Sequence, residues 1–290
     1  MNDLRLAFFG TPELAVVVLD ELEAAGIMPT VIITAPDAPQ GRGLVMTPPP
    51  VKAWAQMRDI EVLQPEKLDE VFCAALQKQK IDLGVVVAYG KILPAPVLAL
   101  PPHGILNVHP SLLPHWRGPS PVVSAILADD KHLGVSIIQI DEKMDHGPIL
   151  GAIELSPREW PPHAEELEHR MMSAGGNLLA SVIPFWMQGR ITPHMQDNSR
   201  ATYCKKITKE DGLLDLTLDP YQNLLKIRAY EGWPGTYTFF TLNDTKIRVK
   251  VIDAHIDGDV LIIDKVTPEG KREMSYAEFI RSGVTIMNTK

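Results

Sequence analysis

Asn107-Val108-His109-Pro110-Ser111-Leu112-Leu113-Pro114-His115-Trp116-Arg117-Gly118 is the stretch on which the fold turns. The run Gly104-Ile105-Leu106 ahead of it reads as the end of a buried strand. Side chains alternate faces along an extended chain, so the Asn107 amide and the His109 imidazole share a face. Pro110, Pro114 and Gly118 then punctuate a loop, and loops after strand ends are where α/β proteins hold ligands. A second apolar run, Val135-Ser136-Ile137-Ile138-Gln139-Ile140, leads into Asp141-Glu142-Lys143-Met144-Asp145-His146-Gly147-Pro148, another strand ending in a carboxylate-bearing turn. An amide, an imidazole and a carboxylate placed at two strand ends can converge on one polar centre.

Outward from this centre, short apolar runs alternate with helical patterns. Residues 4–9, 30–34, 83–87, 104–108, 135–140 and 149–155 read as strands, and residues 83–87 form the continuous β-branched run expected of a strand covered on both faces. Residues 13–25 are helical, with Thr11-Pro12 as a start and Gly26 as a stop. Residues 163–188 give a long helical pattern suited to packing on the sheet. Alternating βα units predict an α/β domain over residues 1–190, an open, mostly parallel sheet with helices on both sides. Residues 35–50 hold five prolines and two glycines, and no regular element fits them; Gln40-Gly41-Arg42-Gly43 makes an adaptable tip. Residues 189–202 are polar and aperiodic, which predicts a linker, set at 191–205. Beyond it, residues 220–229 are helical, and 236–242, 246–254 and 260–263 are β-rich, with turn pairs at Asn243-Asp244 and Asp257-Gly258. Residues 206–290 are therefore expected to form a small β-barrel or partial barrel.

Composition narrows the function. A chain of 290 residues with 45% apolar and 22% charged residues is ordinary for a globular protein. No apolar run reaches the length of a membrane span, and the start is too short for a signal peptide, so no membrane association is expected. Cys73 and Cys204 have no partners at metal-ligand spacing and read as thiols of a reducing compartment, which predicts a cytoplasmic location. The net charge of −8 argues against a surface that grips nucleic acid everywhere, but not against a local patch. Lys205, Lys206, Lys209, Lys226 and Arg228, with Lys246, Arg248 and Lys250, form either a solvated face or a phosphate-tracking surface.

Several chemistries are disfavoured. Gly10-Thr11-Pro12-Glu13 stands where a dinucleotide fold places its glycine fingerprint, but the later glycines are absent and Pro12 lacks an amide hydrogen. It reads as a tight strand-to-helix turn or the border of a substrate pocket. There is no Gly-x-Ser-x-Gly elbow, no His-Glu-x-x-His and no phosphate loop. No feature marks Ser111 as an activated nucleophile, and zinc on His103, His109 and Asp145 matches no common spacing, so no metal is expected. Asn107 as a turn cap, His109 as an interior histidine and Asp145 as an Asx-turn are the structural alternatives for the remaining three. Their joint placement after two strands favours a site.

The pattern Asn-x-His-x-Ser-Leu-Leu-Pro with a later strand, loop and Asp resembles the formyltransferases that use 10-formyltetrahydrofolate. Within that superfamily the chain most resembles the methionyl-tRNA formyltransferase family. The likeness includes Phe9-Gly10-Thr11-Pro12-Glu13, Ala35-Pro36-Asp37 with Gly41-Arg42-Gly43, Leu63-Gln64-Pro65-Glu66-Lys67-Leu68 and Ala88-Tyr89-Gly90-Lys91-Ile92-Leu93-Pro94. In the second half it includes Ala201-Thr202-Tyr203-Cys204-Lys205-Lys206-Ile207 and Ile227-Arg228-Ala229 followed by Trp233-Pro234-Gly235.

The resemblance implies a Rossmann-like catalytic domain, a C-terminal tRNA-binding barrel of OB type, and transfer of a formyl group to the α-amine of initiator methionyl-tRNA by a monomer. It implies Asn107, His109 and Asp145 as the catalytic set. Ser111, Leu112, Leu113 and Pro114 would contact the folate donor, with the loop from Asp141 to Asp145 beside the pterin, and Arg42 would contact the tRNA. Attack of the amine on the formyl carbon produces an oxyanion, which the Asn107 amide and a protonated His109 would stabilise. Asp145 would orient His109 and help remove the amine proton through water.

Two departures stand out. Gly43 is followed by Leu44-Val45-Met46 where the family commonly places lysines, leaving Arg42 as the cation and Leu44 or Met46 as an apolar wedge. The barrel also looks shortened after Val251-Ile252-Asp253. The alternatives are a formyltransferase for a nucleotide-linked amino sugar, a formyltetrahydrofolate hydrolase, and a non-catalytic binding protein.

Overall fold

The computed structural model describes residues 4–41, 43–242, 245–281 and 285–286; Arg42 and the Asn243-Asp244 turn lie outside the described residues. The chain opens with β1 (Leu6–Gly10), buried at every position. Pro12, at the N-cap position with an extended backbone, starts α1 (Glu13–Ala24), and Gly26 at φ 74° lies just past its end. There follow β2 (Val31–Ile33), β3 (Ala38–Gln40), β4 (Val45–Thr47), α2 (Pro50–Gln56) and β5 (Glu61–Leu63). Next come α3 (Glu70–Lys78), capped by the Asp69 carboxylate on the Phe72 amide, β6 (Leu83–Val87), α4 (Ala95–Leu98) and β7 (Ile105–His109). The middle of the chain holds α5 (Pro121–Leu127), β8 (Leu133–Gln139), β9 (Ile149–Leu155) and α6 (Ala164–Met187). The last part holds α7 (Pro220–Ala229), β10 (Thr236–Leu242), β11 (Thr245–Asp257), β12 (Val260–Pro268), β13 (Met274–Ser275), α8 (Tyr276–Ile280) and β14 (Thr285–Ile286).

Seven strands form the main sheet in the order β5-β2-β1-β6-β7-β8-β9. The pairs from β5 to β7 are parallel and β7 pairs antiparallel with β8, which is the mostly parallel α/β sheet expected. The chain order reverses between β1 and β6, and such switch points open a crevice at the carboxyl ends of the strands. One face of the sheet is covered by Phe72, Leu76, Tyr89, Leu93 and Val97, packed on Phe9, Ile33 and Ile105. On α6, Gly175 lies against Val108 and Val135, and Gly176 against Val18 and Glu21, so the backbone of the helix rests directly on the sheet and on α1.

A second sheet, β13-β12-β11-β10-β14, is antiparallel in each of its four strand pairs and of small-barrel type, with a core of Leu224, Ile227, Phe240, Val249, Val251, Val266 and Phe279. The chain divides into two compact units, Met1–Gly118 with Gly134–Leu155 and Glu168–Tyr203, and Pro119–Leu133 with Ser156–Leu167 and Cys204–Lys290.

Two expectations need correction. Residues 35–50 are not devoid of regular structure: β3 and β4 pair as an antiparallel hairpin with Ala38 opposite Thr47, and α2 begins at Pro50. The hairpin buries neither face, so no hydrophobic alternation announces it, and Pro39 is tolerated because each strand is an edge. β11 and β12 also run past the expected residues 254 and 263. A bulge between Val251 and Ala254 moves the inward positions from Val249 and Val251 to Ala254 and Ile256, which breaks the period-2 signal.

Candidate functional site

β7 carries Asn107 and His109 as its third and last residues. Asn107 lines a cavity of about 230 Å³ together with Val86, the turn Ala88–Leu93 and the loop Ile140–Asp145. Its side chain makes no hydrogen bond to the protein among the described residues, so both amide groups remain available to a ligand. Tyr89 forms part of the wall, packs edge-on against Phe9, and has its phenol pushed up to about 12 by burial, so it stays neutral. The Asp141 carboxylate pairs with His146 Nδ1 at 2.7 Å, which ties the loop across its own base. A larger hollow of about 530 Å³ between Leu63 and Ala75 holds none of the amide, imidazole and carboxylate set.

His109 lies behind the cavity, buried at 4% exposure. Its Nε2 is 3.0 Å from the Trp116 carbonyl oxygen. A carbonyl only accepts, so Nε2 bears a proton and Nδ1 is the nitrogen left for chemistry. Nδ1 faces Asp145 Oδ1 at 3.7 Å, too long for a direct hydrogen bond and suited to a bridging water or a contact that tightens around substrate. The second Asp145 oxygen accepts the Gly118 N–H at 2.7 Å. The loop containing residues 116–118 thus addresses both groups.

Three non-glycine residues here have left-handed backbones, Ala88 of the cavity wall at φ 45°, Trp116 at φ 59° and Asp145 at φ 49°, the last two beside His109. Such conformations persist where surrounding bonds over-determine them. The Trp116 N–H donates to Thr202 Oγ1 and the Arg117 N–H to the Thr202 carbonyl. The Gln196 amide donates to the carbonyls of Asp145 and Gly147 at 2.9 and 2.7 Å. Arg117, 2% exposed, donates through Nε and Nη2 to Gln196 Oε1 at 3.0 and 2.6 Å, and through Nη2 to Asn198 Oδ1 at 2.8 Å. Residues 189–202, expected as a plain linker, therefore bind the loops around the site, and residues 149 and 194 form a bridge. Polar, aperiodic sequence looks the same whether its side chains meet water or other loops, so Gln196 carried no signal. Arg117 stood inside the quoted motif, but burial of its guanidinium is visible only in the fold. Gly147 is dictated by space, since a Cβ there would run into the Gln139 carbonyl oxygen.

Asn107, His109 and Asp145 are thus brought together. Ser111–Pro114 do not line the cavity: Ser111 and Leu113 are buried, the Ser111 hydroxyl donates to the His115 carbonyl at 2.6 Å, and Ser136 Oγ bridges the Ser111 carbonyl and the Leu113 N–H. Ser111 is bonded to a carbonyl rather than to a base. His103, His109 and Asp145 are not gathered into a metal-holding group, and no such group of three His, Cys, Asp or Glu occurs among the described residues. Neither cysteine is in a disulfide, and burial pushes the Cys73 thiol up.

Residues 4–183, more than half of the chain, match the formyl transferase family. The methionyl-tRNA formyltransferase of Herpetosiphon aurantiacus is 40% identical over 306 aligned positions, covering 98% of this chain and 99% of the relative. The chain belongs to the methionyl-tRNA formyltransferase family. Among solved structures, a methionyl-tRNA formyltransferase from Clostridium thermocellum superposes with a TM-score of 0.62 at 17% identity, covering 91% of this chain and 98% of that one. An N-formyltransferase from Helicobacter canadensis, in complex with folinic acid and dTDP-3-aminofucose, gives 0.61 at 16% identity, covering 90% and 95%. At such identities these likenesses speak to the fold alone. The family assignment rests instead on curated methionyl-tRNA formyltransferases such as that of Herpetosiphon aurantiacus, matched at 40% identity over almost the whole chain.

Proposed function

We propose that this chain transfers the formyl group of 10-formyltetrahydrofolate to the α-amine of initiator methionyl-tRNA, with Asn107, His109 and Asp145 as the catalytic residues. The observation that carries this reading is the assignment of the His109 proton. With Nε2–H committed to Trp116, Nδ1 faces the Asp145 carboxylate behind the cavity that Asn107 lines. In the reaction the amine nitrogen bonds to the formyl carbon, the bond from that carbon to N10 breaks, and the proton the amine gives up is balanced by one delivered to the leaving N10. Asn107 donates to the oxygen that becomes negative, where a fixed donor is worth roughly 3 kcal/mol. A water hydrogen-bonded from one side to both Nδ1 and Asp145 Oδ1, which lie 3.7 Å apart, would complete a proton relay. The cavity walls formed by Tyr89 and by the loop after Ile140 are assigned to the pterin head, and Ser111, Leu112, Leu113 and Pro114, outside this cavity, to contact with the rest of the donor.

For the tRNA, the outer face of β10 and β11 offers aromatic rings and cations in register. Arg248 lies 3.7 Å over the Tyr237 ring and Lys246 4.0 Å over Phe239, and Lys250 pairs across from Tyr237. Cations beside partly exposed aromatic rings suit a nucleic-acid backbone better than a small acceptor. Arg42 as cation and the exposed Leu44 or Met46 as apolar wedge are assigned to the acceptor stem. Residues 1–190 are taken as the catalytic domain, 191–205 as the linker and 206–290 as the tRNA-binding domain of a cytoplasmic monomer.

The test is formyl transfer from 10-formyltetrahydrofolate to charged initiator methionyl-tRNA, with uncharged tRNA, free methionine and a nucleotide-linked amino sugar as control acceptors. Formylation confined to the charged tRNA supports the reading. Formylation of the sugar, or release of formate without an acceptor, overturns it.

A further inference from the structure

We propose that Gln196, clamped by the buried Arg117, is a positioning residue for formyl transfer: it holds the Asp145 backbone left-handed and so sets the carboxylate against His109. This rests on the assignment of Asp145 to catalysis. The Gln196 side chain is 7% exposed and each of its polar atoms is engaged. Oε1 accepts two N–H groups of Arg117, at 3.0 and 2.6 Å, and Nε2 donates to the carbonyls of Asp145 and Gly147, at 2.9 and 2.7 Å. A flipped amide would set NH2 against guanidinium and oxygen against two carbonyls, so only one orientation is allowed.

The neighbours of Arg117 act on the same pair of residues: the Trp116 carbonyl fixes His109 Nε2, and the Gly118 N–H fixes Asp145 Oδ2. Arg117 and Gln196 therefore join the segment that orients the imidazole to the loop that carries the carboxylate. Asp145, at φ 49°, has an intrinsic preference to leave this conformation, and the Gln196 bond to its own carbonyl opposes that change directly.

Gln196→Glu isolates this role. A carboxylate keeps the size of the side chain and its pairing with Arg117, but it has no hydrogen to donate to the Asp145 and Gly147 carbonyls. The experiment measures kcat and both KM values for wild type, Q196E, Q196M, D145N and the double variant Q196E/D145N, with melting temperature and near-UV circular dichroism as folding controls. Q196E is expected to keep the native near-UV spectrum but to melt below wild type, because its second carboxylate oxygen faces the two carbonyls, to keep both KM values within about twofold, and to lose kcat by about ten- to a hundredfold at a temperature where it is folded, as displacement of a reacting group by an ångström does. In the D145N background the same change is expected to cost nothing further, because Gln196 acts through that carboxylate. Wild-type turnover by Q196E, a loss confined to KM, or the full factor recurring on top of D145N overturns the proposal. Wild-type turnover by D145N overturns instead the catalytic assignment on which it rests. Loss of folding in Q196M with Q196E intact leaves the comparison with Q196E decisive.

Discussion

At the scale of single residues, the groups proposed to do chemistry are distinct from those proposed to hold them. Asn107 has an unbonded amide at the cavity, so Asn107→Ala should lower kcat by roughly 10²–10³ with little change in stability. His109→Ala and Asp145→Ala should lose most turnover while melting near wild type, and wild-type-like initial rates in either variant would refute their roles. Gly147 behaves differently. A methyl group there must push aside the Gln139 carbonyl, so Gly147→Ala should destabilise the protein by about 1–3 kcal/mol and impair turnover together, read as a parallel fall in melting temperature and kcat. Asn107, His109 and Asp145 could be picked out as candidates because the first two close an apolar run and the third lies in the turn after another. Gln196 could not, because its partners, the Arg117 guanidinium and the Asp145 and Gly147 carbonyls, lie far away in the chain.

At the scale of elements, the β3–β4 hairpin and the β11–β12 ribbon carry separate expectations. Leu44 and Met46 are 71% and 60% exposed, so replacing both with Ser should leave folding unchanged. If the hairpin meets the acceptor stem, the same double variant should raise KM for the tRNA severalfold without altering KM for the donor. In the ribbon, His255 Nδ1 pairs with Asp264 Oδ2 at 2.7 Å, and this hydrogen bond, with the nearby charges of Asp264, Asp257 and Asp253, raises the imidazole above its ordinary 6.5. A raised histidine adds stability that is fully present below 6.5 and is lost as pH rises through the folded value. The melting-temperature difference between wild type and His255→Gln should therefore be largest near pH 6 and shrink toward pH 9; a pH-independent difference would rule out the ion pair as its source.

For the whole molecule, a net charge of −8 and a basic aromatic face coexist, so tRNA binding should depend on that face rather than on overall charge. Charge reversal at Lys246, Arg248 and Lys250 should weaken tRNA affinity and flatten its dependence on salt by about one unit of slope for each phosphate no longer neutralised, with donor KM unchanged. An unaltered salt slope in a filter-binding titration would place the tRNA elsewhere. The sequence by itself determined the mostly parallel sheet and where its principal strands lie along the chain, because burial on both faces and the period of side chains are local properties, and it singled out Asn107, His109 and Asp145 as candidates. It also determined the family, through motifs that persist along the whole chain. Only the tertiary structure decided which nitrogen of His109 is free, how Asp145 is held, and that the segment after α6 is the clamp on both. Those outcomes depend on hydrogen bonds between residues such as Arg117 and Gln196, which the chain brings together only when it folds.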